Sequence, residues 1–175
     1  MSVVKKCLAV LAAIGLATAA PALAKEGNAD HPEARNYDAS IDASAAVDSA
    51  LERARASNKL VLIALGANWC HDSRAFAGWM ESDYFAELIE LHFELVHVNV
   101  GMPQTKDGHN LHIAERFGVA DIKGTPTVLI VSPQGELLNG ETAKAWRNTA
   151  SRSAAEIFVE LAAFAANRTA EQPTD

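Results

Sequence analysis

Beyond its lysine, the run KLVLIAL at residues 59–65 has no polar side to turn toward water. A strand of this kind calls for cover on both faces. PTVLIV (126–131) reads the same way, and FELVHVNV (93–100) supplies a third strand. Between and around them lie helical patterns. Asp42 can cap a helix over 43–57 whose Val47, Ala50, Leu51 and Ala54 share one face. Phe76, Trp79 and Met80 recur at helical spacing as core positions after Cys70, and Ser82 opens a further helical piece to about Leu91. The segment GMPQTKDGHN (101–110) is a loop by its Gly, Pro, Asn and Asp content, and LHIAERF a short helix stopped by Gly118. Ser132-Pro133-Gln134-Gly135 predicts a turn with a short strand returning at 136–139. Ser153 and Glu156 form a capping box for a last helix, with Ile157, Leu161, Phe164 and Ala165 as its buried stripe. Trp146 is expected to pack against that helix. The predicted fold class is α/β, a mixed sheet with helices on both faces.

The chain has 175 residues, 49% of them apolar, enough for one domain with a real core. Its first residues stand apart. Lys5 and Lys6 precede an apolar stretch from Leu8 to Ala20, and Ala22-Leu23-Ala24 is a small-x-small cleavage pattern. Residues 1–24 therefore read as a bacterial-type signal peptide cut after Ala24, which implies export to the periplasm or beyond. The stretch is short for a membrane span, so no permanent membrane anchor is expected. Residues 25–41 are polar and aperiodic, a flexible leader; the domain is placed at 42–167 and a disordered tail at 168–175.

Loss of residues 1–24 removes Lys5 and Lys6 but no acid, moving the net charge from −7 to −9. That balance argues against nucleic acid or an anionic membrane as partner. Cleavage also removes Cys7, one of two cysteines, and leaves Cys70 alone. No disulfide can then form within the mature chain. A lone thiol in an exported protein is reactive, paired between molecules, or inertly buried.

The stretch GANWCHDS (66–73) and the later GVADIKGTPTVLIVSPQGELL (118–138) together give the chain a resemblance to the thioredoxin family, from about residue 43 to 166. The resemblance implies a thioredoxin-like fold, with a cis peptide bond between Thr125 and Pro126 facing the reactive cysteine. The Thr125 backbone would then pair with an extended substrate segment. Three positions depart from the redox-active pattern. Ser73 stands where the resolving cysteine of Cys-X-X-Cys would be. Ala64 replaces a buried Asp that helps deprotonate that thiol, and His97 falls where its Lys partner lies. The departures agree with one another, since a chain without the second thiol does not need the acid–base apparatus that serves it.

Cys70 can still attack a disulfide and form a mixed disulfide, but Ser73 cannot resolve it. At a helix N-terminus the sulfur would meet free N–H groups and the positive end of the helix dipole, which favour a thiolate; protonated His71 would add to this and Asp72 would oppose it. These considerations predict an exposed, activated thiol. Trp69 is expected to shield it and offer contact surface, and Arg74 to be a solvated helix charge. Among the histidines, His109 and His112 could share a helix face but read as exposed polar residues, while His97 reads as a core residue behind Cys70 and Ser73. No metal site and no cofactor is assigned. The leading reading is thiol–disulfide exchange through Cys70, His71 and Ser73, with Trp69, Thr125 and Pro126 holding a disulfide- or thiol-containing protein or a small thiol, in a monomer. The alternative is a non-covalent peptide-binding module on the same scaffold; an exported copper carrier is a third, lesser possibility.

Overall fold

The computed structural model describes residues 31–170, so the expected signal peptide, the start of the expected leader and the last five residues lie outside it. At its centre is a three-stranded sheet in the order β2-β1-β5. Strand β1 (Leu60–Gly66) pairs parallel with β2 (Phe93–Asn99) and antiparallel with β5 (Thr127–Val131). Every residue of β1 and β5 is buried, as their unbroken apolar runs require.

The alternation of side chains along β1 divides the core in two. Val61, Ile63 and Leu65 face α1 (Ala43–Ser57) and α4 (His112–Arg116), meeting Val47, Leu51 and Ile113. Leu60, Leu62 and Ala64 face the other side, where α2 (His71–Glu81), α3 (Asp83–His92) and α5 (Ala154–Ala170) bring Phe76, Phe85, Ile157 and Leu161. The helix termini follow from local chemistry. The Asp42 carboxylate accepts from the Ala45 N–H at 3.0 Å and caps α1, while Asn58 ends it in the left-handed region at φ 54°. Ser153 and Glu156 close their box reciprocally, Ser153 N–H to Glu156 Oε2 at 2.8 Å and Glu156 N–H to Ser153 Oγ at 3.3 Å. Ile157, Leu161 and Ala165 are buried, and Phe164 only half so. Among the described residues no helix is long and apolar enough to cross a membrane.

The structure departs from the sequence reading at several points. The expected strand at 136–139 is reduced to one bridge, Val131 with Leu137. A side chain takes its place: Asn139 accepts from the Ile130 N–H at 2.8 Å and donates to the Val128 carbonyl at 2.9 Å. The outer edge of β5 is thus satisfied without a full strand beside it. Within the loop 101–110, a two-residue pair forms between β3 (Gly101–Met102) and β4 (Asp107–Gly108). Residues 145–151 form a 3-10 turn that carries Trp146 into the core, edge-on to Phe76 of α2 at 5.5 Å and in one cluster with Ile157 and Leu161 of α5. Helix α5 runs on to Ala170, three residues past the expected domain end at 167.

The largest departure concerns the leader. Residues 31–41 form no helix or strand, yet they are a strap fastened across the domain, not a free segment. Tyr37 is 1% exposed, its N–H donates to Asn68 Oδ1 at 3.2 Å, and its carbonyl accepts from the Asn68 and Asn99 side chains at 3.0 and 2.8 Å. The Ala34 N–H donates to the Arg74 carbonyl at 3.1 Å. Gly78 lets the strap lie flat on α2, since a Cβ there would come within 2.3 Å of the Pro32 carbonyl oxygen. A polar, aperiodic stretch can be ordered this way when its backbone groups find partners on a neighbouring surface.

Candidate functional site around Cys70

Strand β1 ends at Gly66, a tight turn follows, and Cys70 becomes the N-cap residue of α2 with extended backbone (φ −82°, ψ 122°). Its thiol donates to the Thr125 carbonyl at 3.2 Å. The Thr125–Pro126 peptide bond is cis. Cys70 and Thr125 are 55 residues apart, and they meet because β1 and β5 are antiparallel neighbours whose ends converge. The expectation of an exposed thiol needs correcting: Cys70 is only 9% exposed, enclosed between its own helix and the Thr125 segment. Thr125 is 6% exposed, and its hydroxyl is buried without a hydrogen-bond partner.

Ser73 lies one turn into α2, fully buried, its hydroxyl likewise without a partner. Beneath it sits Tyr37 of the strap, whose hydroxyl donates to the Ser73 carbonyl at 3.2 Å. Gly66 makes room for both, because a Cβ at that position would lie 2.5 Å from the Tyr37 ring and 2.8 Å from Ser73 Oγ. Burial, together with the charge of Cys70, pushes the Tyr37 phenol far above its ordinary range, so it is a permanent donor. Sequence reasoning missed Tyr37 altogether. The available signal was an aromatic residue in an otherwise polar leader.

Ala64 and His97 are direct cross-strand partners in the β1–β2 register. Ala64 is fully buried on the α2 face, and the His97 ring stands edge-on to Tyr37 at 5.3 Å. His97 Nε2 is buried and unpartnered. Burial lowers its pKa from 6.5 to about 4, against a small opposing pull from the Glu81 charge. It is therefore a neutral imidazole near neutral pH.

On the outer side, Trp69 is half exposed, with its indole N–H donating to the Gly101 carbonyl at 3.0 Å. The loop 101–110 thereby holds the ring beside the thiol. The Asp72 carboxylate accepts from the Ala150 N–H at 2.9 Å and ties the 3-10 turn to the first turn of α2. Arg74 is no solvated charge. Its guanidinium is mostly covered and donates to Glu33 at 2.8 and 3.3 Å and to the carbonyls of Asn68 and Trp69, both at 3.2 Å. His71 Nε2 faces Glu33 Oε1 at 3.1 Å. His109 and His112 are not brought together as ligands: His112 Nε2 meets Ser44 Oγ at 3.0 Å, whereas His109 lies beside Gly101. The structure thus gathers Trp69, Cys70, His71, Ser73, Thr125 and Pro126 at one end of the sheet, with Ala64 and His97 behind them.

A mixed α/β sheet covered by helices on both faces, with a cysteine capping a helix opposite a cis-proline, defines a class, and the chain belongs to the thioredoxin-like family, whose sequence model matches residues 42–133. Among solved structures it is similar to a disulphide isomerase from Xylella fastidiosa Temecula1. The two are 29% identical, with a TM-score of 0.67, over 75% of this chain and 97% of that one. No curated protein sequence matches it significantly. The family match begins at residue 42 and leaves the strap outside.

Proposed function

We propose that this is an exported protein of thiol–disulfide exchange that works through one cysteine, Cys70. The observation that carries the reading is the Cys70 thiol at the N-cap of α2, 3.2 Å from the carbonyl of Thr125. The thioredoxin-like family and the likeness to a disulphide isomerase support a thiol–disulfide redox role in general. Ser73 in the fourth motif position supports the monothiol form of it.

Cys70 gives up its proton and its sulfur attacks a partner disulfide. One S–S bond breaks as the Cys70–partner S–S bond forms, and the partner's other sulfur leaves as a thiolate that takes up a proton. Ser73 offers no second sulfur, so release requires a thiol from outside: the partner's own freed thiol, which gives isomerisation, or a small thiol in the same compartment. Trp69, His71, Thr125 and Pro126 line the place where the extended partner segment is held. The signal sequence supports delivery to the periplasm or beyond, where disulfides persist.

The test is a comparison of non-reducing gels after incubation of wild type and Cys70→Ala with a disulfide-containing cell extract. Adducts that are reversed by reductant and missing in the variant are expected. The intact mass of protein recovered from the cell envelope should correspond to a chain beginning at Lys25. The 9% exposure of Cys70 favours a second reading, a module that holds an extended peptide beside Pro126 without covalent chemistry. Identical gels from both proteins would select it.

A further inference from the structure

We propose that His31, Glu33 and His71 form a binding site for a divalent transition-metal ion of the zinc type, clasping the strap to the first turn of α2. Two imidazoles and a carboxylate are a donor set that suits zinc, with the fourth position left to water or an added ligand. Glu33 Oε1 stands 3.1 Å from His71 Nε2 and 3.6 Å from His31 Nε2. A tetrahedral ion with bonds of about 2.0–2.1 Å holds neighbouring donors about 3.3 Å apart. The two observed separations bracket that figure. One donor atom from each of the three residues lies within 4.8 Å of the other two, and among the described residues no other His, Cys, Asp or Glu trio meets that spacing.

The second observation is His31 itself. Its side chain is 14% exposed, and Nε2 is buried without a hydrogen-bond partner. A buried ring nitrogen in that state is costly, and a metal ion would satisfy it. The two rings already lie together, with centroids 4.6 Å apart. His71 is 58% exposed, so an ion has a path from solvent.

Arg74 acts as a positioning residue for the carboxylate. Its Nε donates to Glu33 Oε2 at 2.8 Å and its Nη2 to Oε1 at 3.3 Å, which fixes the plane of the carboxylate and leaves Oε1 turned toward the histidines. The guanidinium charge also repels a cation, which sets the expected affinity below that of a four-ligand structural zinc site. The site does not depend on the redox chemistry of Cys70.

Zinc chloride titrated calorimetrically into the purified, reduced protein should show saturable one-to-one binding. His71→Ala and His31→Ala should each weaken it by about tenfold or more. Cys70→Ala and the His109→Ala/His112→Ala pair should bind as wild type does. Zinc should also raise the unfolding temperature of wild type and leave that of His71→Ala unmoved, because a ligand stabilises only the state that binds it. His71 is exposed, so its variant keeps the test open even where His31→Ala loosens the strap. No saturable binding, binding that survives His71→Ala, or binding abolished by Cys70→Ala would each overturn the proposal.

Discussion

His97 has its ring against Tyr37 and its Nε2 unpaired, which makes it a residue through which pH reaches the fold. Above pH 6.5 it is neutral both folded and unfolded, and contributes no pH dependence. As the pH falls from 6.5 toward about 4, the unfolded chain takes up a proton that the buried ring refuses, so stability declines across that window. Below about 4 both states carry the proton and the loss levels off. At about 1.4 kcal/mol per unit, the loss amounts to a few kcal/mol. Urea unfolding of wild type and His97→Gln from neutral pH downward should show this slope in the first protein and a flatter one in the second. Equal slopes would place the acid sensitivity elsewhere. The residue scale is also where sequence reading reached furthest and then stopped. Cys70, Ser73, Thr125 and Pro126 were legible because their motifs fix their neighbours along the chain. The burial of Cys70 and the clamp made by Arg74 were not, since both depend on segments 55 and 41 residues away.

Elements announced by periodicity stand where the sequence places them. The stripe Val47, Ala50, Leu51 and Ala54 fixes α1, and the runs in β1 and β5 fix the middle of the sheet. The return strand at 136–139 failed for an identifiable reason. Asn139 supplies a donor and an acceptor to β5 from one side chain, so the backbone around it has no need to continue the ladder. Propensity and turn chemistry carry no signal of such a substitution. Asn139 is 4% exposed, and its removal would leave a buried N–H and a buried carbonyl of β5 unpaired. At about 1–3 kcal/mol for each unsatisfied group, Asn139→Ala should cost about 2–6 kcal/mol. Equilibrium unfolding measures this, and a loss under about 1 kcal/mol would mean that the edge finds other partners.

On the scale of the whole molecule, the folded unit is larger than the family match. The sheet, its helices and the thiol all fall within or beyond residue 42, yet Tyr37 fills the space between Gly66, Ser73 and His97 from outside it. Truncating a buried aromatic side chain typically costs about 3–5 kcal/mol, a large share of the about 5–15 kcal/mol that holds a domain folded. A chain that starts at Asp42 should therefore unfold at distinctly lower urea than one that starts at Lys25, and Tyr37→Ala in the longer chain should account for most of the difference. Equal midpoints for the two chains would show the strap to be dispensable.

The two ends of the chain are consequently not interchangeable handles. His31 lies against His71, the neighbour of the thiol, so whatever is joined ahead of the strap is tethered at the mouth of the site. The other end departs elsewhere: Arg168 near the end of α5 donates to the carbonyl of Asn58, just before β1 begins. The seven residues of β1 separate that point from Gly66, about 20 Å at roughly 3.3 Å per residue. A surface tether or reporter attached where α5 ends, at Ala170, starts away from the Cys70 end of the sheet, whereas one attached directly ahead of His31 starts in its doorway.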